Sequence, residues 1–328
     1  MSLLVLPADD PAAIAEAAGI LRKGGLVAFP TETVYGLGAN ALDAEAVARI
    51  FAAKARPTFD PLIVHLADRS WLPRAVRETP EAAAVLAGRF WPGPLTLVLP
   101  KTSAVPDLVT AGLDTVGVRV PDHPAARALL EVADRPIAAP SANLFGCVSP
   151  TTAAHVVEQL GDRVDAVLDG GPCRVGVEST IVSFAAGSPV VLRPGGVARE
   201  ELEQALGRAV GLVRERAPHD TALVAPGQLE RHYATRTPLR LLSGRAETPG
   251  RGSRVGLLAF AEGPAQGFAA VEVLAPDGQP ATAAANLFAA LRRLDARGLD
   301  LLLAEPCSEE GLGSAIMDRL RRCAAGAV

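Results

Sequence analysis

Short apolar runs alternate with amphipathic stretches along most of the chain, and that alternation restricts the fold to helices packed on a mixed sheet. Helical spacing marks Pro11 to Lys23, Asp43 to Ala53, Glu81 to Phe90, His123 to Ala133, Thr152 to Leu160 and Glu200 to Val210. Between them lie Leu26 to Phe29, Pro61 to Leu66, Leu95 to Leu99, Val116 to Val120, Ile137 to Ala139, Ala166 to Leu168, Ser179 to Phe184 and Val190 to Leu192, all of strand length. From about Gly211 to Pro238 the pattern lapses into charged, Pro/Gly-containing sequence such as Arg214-Glu215-Arg216-Ala217-Pro218 and Ala225-Pro226-Gly227. Periodicity then returns, with strands over Val255 to Phe260, Ala270 to Leu274 and Leu299 to Ala304, and helices over Ala281 to Arg297 and Ser314 to Ala324. At 328 residues the chain exceeds one core. The expected organisation is a twisted, mixed-sheet α/β domain over 1–210, a linker over 211–238 and a smaller Rossmann-like α/β domain over 239–328. No GxGxxG follows the first strand of the smaller unit, so no dinucleotide site is expected there.

Hydrophobic residues make up 49% and aromatics 4%, which points to a core of Val, Leu and Ala. A formal net charge of −4 offers no broad basic field for non-specific nucleic-acid binding. Cys147, Cys173, Cys307 and Cys323 lie far apart, without zinc-ligand spacing, so neither a disulfide framework nor a structural zinc is expected. The N-terminus lacks a signal peptide's basic start, and no run reaches about 18 uncharged apolar residues; a soluble, cytoplasmic protein is expected.

Lys54 and Arg56 stand one residue apart where Pro57 must end a helix. They read either as a polyanion-binding pair or as a solvated helix end favoured by the dipole. In the strand that follows, Ile63 and His65 share one face, so His65 can look into a cavity. Thr31 and Thr33, before Tyr35 and the Gly36-Leu37-Gly38 turn, read as hydroxyls for a small polar ligand or as an ordinary strand and turn. Pro140-Ser141-Ala142-Asn143 and Ser149-Pro150-Thr151-Thr152 precede a helix, where they would bind phosphate or simply supply an N-cap. Arg119 lies on a strand with Gly117 on its own face, which fits an approaching anion or an ion pair with an acid. Ser179, Thr180 and Arg193 add hydroxyls and a cation at strand ends. The absence of GxxxxGK[ST], HExxH and Gly-x-Ser-x-Gly removes P-loop, zincin and serine-hydrolase readings.

In their order, these pieces resemble the threonylcarbamoyl-adenylate synthase family with its YrdC-like catalytic domain. The resemblance rests on Phe29-Pro-Thr-Glu-Thr-Val-Tyr-Gly-Leu-Gly38, Lys54-x-Arg-Pro-x-x-x-Pro-Leu-Ile-Val-His65, Trp91-Pro-Gly-Pro-Leu-Thr96 and Thr110-Ala-Gly-Leu-Asp-Thr-Val-Gly-Val-Arg119. It continues through Pro140-Ser-Ala-Asn143, Ser149-Pro-Thr151, Gly176-Val-Glu-Ser-Thr180 and Arg193-Pro-Gly195. Ala225-Pro-Gly-x-x-x-Arg-His-Tyr233 and Gly311-Leu-Gly-x-Ala-Ile-Met-Asp-Arg-Leu320 resemble the longer, two-domain form. The resemblance implies a nucleotidyltransferase that joins L-threonine, bicarbonate or CO2, and ATP into threonylcarbamoyl-AMP, with release of pyrophosphate. It implies magnesium carried with the nucleotide and a product handed to a separate tRNA threonylcarbamoyl transferase. Threonine would be held by Thr33, His65, Arg119 and Ser179, with Ala139 lining its pocket. ATP would be held by Lys54, Arg56, Thr115, Ser141, Asn143, Ser149 and Arg193, with Lys54 and Arg56 stabilising charge in the reaction and Tyr233 closing over the nucleotide.

Asp60 departs from the neutral hydrogen-bonding residue usual there, and an acid beside a triphosphate repels it unless Arg56 or magnesium compensates. Phe145, Cys147 and Thr235 are further departures, outside the charged core of the site. Two other classes compete: a carbamoyltransferase on the same kind of fold, whose other domains are not found here, and a non-catalytic RNA-binding module, against which the acidic balance weighs.

Overall fold

The computed structural model describes residues 3–185, 187–213, 232–246, 254–262 and 266–325. The linker sequences Arg214 to Pro218 and Ala225 to Gly227, with Arg231, lie outside the described residues. In chain order the first unit runs β1 (Leu4–Pro7), α1 (Pro11–Arg22), β2 (Val27–Phe29), β3 (Gly36–Asn40), α2 (Ala44–Lys54), β4 (Ile63–His65), α3 (Glu81–Phe90) and β5 (Leu95–Pro100). It continues with α4 (Asp107–Thr110), β6 (Thr115–Arg119), α5 (Pro124–Ala133), β7 (Ile137–Ala138), α6 (Ala153–Leu160), β8 (Ala166–Asp169), β9 (Thr180–Ser183), β10 (Val190–Arg193), α7 (Arg199–Leu206) and β11 (Gly211–Leu212). The second unit holds β12 (Leu239–Leu241), β13 (Val255–Ala259), β14 (Ala270–Val273), α8 (Pro280–Asp295), β15 (Leu301–Ala304) and α9 (Gly313–Ala325). The first sheet is mixed, in the order β1-β8-β2-β3-β7-β4-β6-β5-β9-β10-β11. The second is parallel, in the order β12-β15-β13-β14.

Local chemistry fixes the helix ends that matter for the site. Asp43 caps α2 by accepting from the backbone N–H groups of Glu45 and Ala46, while Val47, Ile50 and Phe51 bury its inner face. The helix stops at Ala55, which takes a left-handed conformation at φ 50°, and this turn carries Lys54 and Arg56 inward. Thr152 caps α6 by accepting from the His155 N–H, which leaves Ser149 free of that task.

One reading of the sequence is corrected. Gly36-Leu37-Gly38 is strand, not turn: β3 pairs antiparallel with β2 and β7. Its glycine at 38 answers a packing demand, since a Cβ there would fall 2.8 Å from both Phe29 and Ile137. The remaining differences are omissions. β1 is an edge strand whose Val5 is 53% exposed, so it lacks the alternation that betrays a strand. β12 begins at Leu239, directly after the sequence that reads as linker.

The two units share apolar packing. Val34, Val148 and Val177 of the first are buried in the cluster formed by Leu287, Phe288, Leu291, Ile316 and Leu320 of the second. Gly176 makes the closest approach: it holds φ +75°, and a Cβ would meet Ala284 O at 2.4 Å and Ala285 Cα at 2.5 Å on α8. A side chain there must push two backbones apart. Gly176→Ala is expected to destabilise the docked arrangement by about 2–4 kcal/mol, from overpacking plus left-handed strain. Thermal melts of the two proteins check this; equal melting temperatures would refute the contact.

Candidate active site

β4 and β6 run parallel with His65 opposite Arg119 and Ile63 opposite Gly117, so both polar side chains leave the same face of the sheet. Arg119 ion-pairs with Glu32 through Nη2 and donates from Nη1 to Thr33 Oγ1 at 3.1 Å. Glu32 accepts a second bond from the Asp122 N–H at 3.0 Å and is completely buried. The acid that Arg119 pairs with is thus in the interior rather than on the surface. Thr31 and Thr33 share a hydroxyl contact of 2.8 Å. Burial, and next the Arg119 charge, hold the His65 pKa down at about 3, so its imidazole is neutral at ordinary pH.

Ser179 closes this end of the pocket from just before β9. Its hydroxyl lies 2.8 Å from Thr96 Oγ1, and Arg193 Nη2 donates to its carbonyl at 2.9 Å and its hydroxyl at 3.3 Å. Together Thr31, Thr33, Ile63, His65, Arg119, Ala139, Ser179 and Arg193 wall one cavity with Arg56, Ser141, Glu178, His232 and Tyr233. The free space is about 50 Å³. Sites for drug-sized ligands typically enclose roughly 300–1,000 Å³, so entry of a large ligand requires part of the wall to withdraw.

Lys54 and Arg56 are 1% and 7% exposed, which rules out the solvated helix end. Lys54 Nζ donates to the carbonyls of Ser141 and Asn143 and so pins the loop after β7. Burial and then the neighbouring Arg56 lower the Lys54 pKa well below that of an exposed amine. Asn143 Nδ2 donates to Leu144 O at 2.7 Å and Cys147 O at 2.9 Å, while its Oδ1 is buried with no partner. Arg56 donates from Nε to Asp60 O at 3.1 Å and from Nη2 to Pro61 O at 2.9 Å. Its Nη2 also lies 2.9 Å from Asp60 Oδ2, an ion pair whose partners are both almost fully buried. Burial raises the Asp60 pKa, and Arg56 and Lys54 oppose that rise. Arg56 thus places a cation beside the acid at position 60, yet burial outweighs it: the Asp60 pKa stays raised, and both carboxylate oxygens are buried without a hydrogen bond.

Ser149 Oγ donates to Glu178 Oε1 at 2.6 Å, and Arg319 Nε of α9 donates to Glu178 Oε2 at 2.9 Å. His232 and Tyr233 complete the wall. Tyr233 is 1% exposed with φ 63°, and its ring stacks on Phe288 at 5.4 Å and meets His232 edge-on at 4.1 Å. Burial foremost, with Arg56 and other cations adding to it and Glu178 opposing, leaves the His232 pKa at about 3.

The structure thus gathers Thr33, Arg56, His65, Arg119, Ala139, Ser141, Ser179, Arg193 and Tyr233 into the wall. Lys54, Asp60, Asn143 and Ser149 stand behind it, each bonded to a wall residue or its loop. Thr115 is apart: it shares a face with Arg119 on β6, but four residues of strand put it about 13 Å away. Glu32, Glu178 and Arg319 went unread in the sequence. Arg319 carried a signal, because helical spacing groups it with Ile316, Leu320 and Cys323 on an otherwise apolar face. Among the described residues no group of three or more His, Cys, Asp or Glu is placed to hold a metal, and no helix is long and apolar enough to cross a membrane.

A family model described as telomere recombination, covering Sua5, YciO and YrdC proteins, matches residues 19–195. A second, the C-terminal domain of threonylcarbamoyl-AMP synthase, matches 197–325. Threonylcarbamoyl-AMP synthase of Pyrococcus abyssi is 47% identical over 320 residues, which cover 93% of this chain and 92% of that one. The Bacillus subtilis enzyme of that name is 44% identical over 335 residues, covering 98% and 96%. The crystal structure of P. abyssi Sua5 complexed with L-threonine superposes with a TM-score of 0.91 at 43% identity, over 99% of this chain and 98% of that one. With both domain models matched and such relatives spanning nearly its full length, this chain belongs to the threonylcarbamoyl-AMP synthase family, in its two-domain form.

Proposed function

We propose that this chain condenses L-threonine, bicarbonate or CO2, and ATP into L-threonylcarbamoyl-AMP with release of pyrophosphate, acting as a nucleotidyltransferase. The observation that carries the reading is a single cavity whose lining joins two sets of side chains: Arg119, Thr33, His65 and Ser179, and Arg56, Ser141 and Arg193. The first set offers a cation for the threonine carboxylate and hydroxyl or imidazole groups for its polar atoms. The second offers cations and a backbone loop for phosphates. Family membership and the archaeal relative's bound L-threonine support this assignment.

The chemistry needs little covalent help from the protein. The deprotonated amine of threonine attacks CO2, forming a carbamate and giving up a proton; a carbamate oxygen then attacks the α-phosphorus while the bond to pyrophosphate breaks. Such a displacement is driven by positioning and by charge stabilisation in a dry site. Neutral His65 can accept a hydrogen bond from the substrate without adding positive charge beside Arg119. Magnesium enters with ATP as part of the substrate. Thr115 would reach only an extended part of the nucleotide. The division into a catalytic unit over 1–210, a linker over 211–238 and a unit over 239–328, a cytoplasmic location and transfer of the product to a tRNA-modifying enzyme belong to the same proposal.

The direct test measures pyrophosphate release with each substrate omitted in turn. Release is expected only with ATP, threonine and bicarbonate together; threonine-independent release would refute the assignment, and dependence on carbamoyl phosphate would favour a carbamoyltransferase. Arg56→Ala and Lys54→Ala should each lower turnover by about two orders of magnitude. They should also lower the melting temperature, because Arg56→Ala strands Asp60 and Lys54→Ala leaves two loop carbonyls unpaired at about 1–3 kcal/mol each. Near-native turnover in either variant would remove that residue from the machinery.

Tyr233 would act as a lid, since it fills space beside a cavity too small for a nucleotide. Tyr233→Ala should consume more ATP per molecule of adenylate recovered, because water then reaches a labile product. Equal yields from the two proteins would refute the lid.

The buried histidines give the pH dependence its sign. His65 and His232 have folded-state pKa values of about 3, below the 6.5 of an exposed imidazole, so the unfolded chain takes up protons that the folded state refuses. Their contribution to stability is full above about pH 6.5 and declines as pH falls toward 3. Melting temperatures of wild type and His65→Gln from pH 7.5 to 4.5 should converge as pH drops; parallel curves would show that His65 is not the titrating group.

A further inference from the structure

Arg319 of the second domain bonds to Glu178, a residue of the pocket wall. Arg319 lies on the buried face of α9 with no side-chain exposure. Besides its bond to Glu178, Nη1 donates to Pro194 O at 2.8 Å and to Asp318 Oδ2 at 2.9 Å, and the guanidinium lies 5.4 Å from the Tyr233 ring centroid. Glu178 itself lines the cavity. A carboxylate in that wall is an obstacle to a triphosphate, because charge repulsion is weakly screened in a buried site. The groups facing it are Arg319 from α9, Arg193 from β10, Ser149 from the loop before α6, and His232 from the linker. Burial by itself would raise the Glu178 pKa; Arg319 foremost, with Arg193 and the Ser149 hydroxyl, overrides burial and holds it at about 2. Arg193 is shared with Ser179 and does not belong to Glu178 alone.

We propose that Arg319 is a positioning residue for the nucleotide: by neutralising Glu178 from across the domain boundary it renders the pocket wall tolerant of a polyphosphate, and so couples docking of the second domain to ATP affinity. The inference rests on the reaction proposed above. Its signature is suppression. Loss of Arg319 leaves the cavity-lining carboxylate with only the Ser149 hydroxyl and the shared Arg193 beside it, whereas loss of both partners leaves a neutral amide whose oxygen can still accept from Ser149.

Full-length wild type, Arg319→Met, Arg319→Lys, Glu178→Gln and the Arg319→Met/Glu178→Gln double variant are compared for the KM of ATP in pyrophosphate release, for ATP affinity by calorimetry and for melting temperature. At pH 7.5 Arg319→Met is expected to weaken ATP by about tenfold or more, and the double variant to return to within about threefold of wild type. Arg319→Lys, which keeps the charge, should fall near wild type. Lowering the pH should narrow the deficit of Arg319→Met as Glu178, freed of its partner, takes up a proton. An unchanged ATP KM in Arg319→Met, or a double variant as impaired as the single, overturns the proposal. If Arg319→Met does not fold, Glu178→Gln decides: unchanged or tighter ATP binding supports it, and tenfold weaker binding overturns it. A wild type that binds ATP yet makes no threonylcarbamoyl adenylate would refute the proposed reaction, and the calorimetric comparison would still test Arg319.

Discussion

Burying a cation is costly, and this fold buries Lys54, Arg56, Arg119 and Arg193 around one cavity. Each survives desolvation because the chain supplies oxygen at close range: the Ser141 and Asn143 carbonyls for Lys54, Asp60 and two carbonyls for Arg56, Glu32 and Thr33 for Arg119, and Ser179 for Arg193. The rest of the architecture follows from placing those oxygens. α2 must end in a left-handed residue at Ala55 for Lys54 and Arg56 to point inward, and β4 must lie beside β6 for His65 and Arg119 to share a face. Pre-paired cations are also held rigidly, which is what a site that works by electrostatic stabilisation requires.

The same logic explains why the second domain is not a distant appendage. Val34, Val148 and Val177 flank Thr33, Ser149 and Glu178 in sequence, and all three valines are buried in the second domain's apolar cluster. Docking therefore bears directly on the segments that carry Thr33, Ser149 and Glu178, and Gly176, whose backbone rests on α8, permits the close approach.

Much of this was legible beforehand, and the reasons differ by element. The helices of the first unit carry strong periodicity and cap signals, so their ends were readable to within a residue or two at α2, α5 and α6. Gly36 and Gly38 misled because glycine signals a turn in isolation, whereas here it makes room for Phe29 and Ile137. Arg119 was readable as an anion ligand from its bare neighbour Gly117, but its partner Glu32 was not, since that pairing joins residues 87 positions apart. Arg319 was hidden similarly, 141 residues from Glu178. Local pattern specifies elements; only packing shows which charges meet.

Tyr233 shows how the two halves of the design meet in one residue. A non-glycine residue in the left-handed region costs on the order of 1–2 kcal/mol, and Tyr233 adopts φ 63° while completely enclosed. Aromatic pairs contribute about 0.5–1.5 kcal/mol each beyond buried area, and Tyr233 has Phe288 on one side and His232 on another, with Arg319 across its face. The strain is thus offset by contacts that the second domain largely supplies. Phe288 and Arg319 hold the ring only while α8 and α9 are docked, so the conformation that places Tyr233 in the cavity wall and the ion pair between Arg319 and Glu178 depend on the same interface.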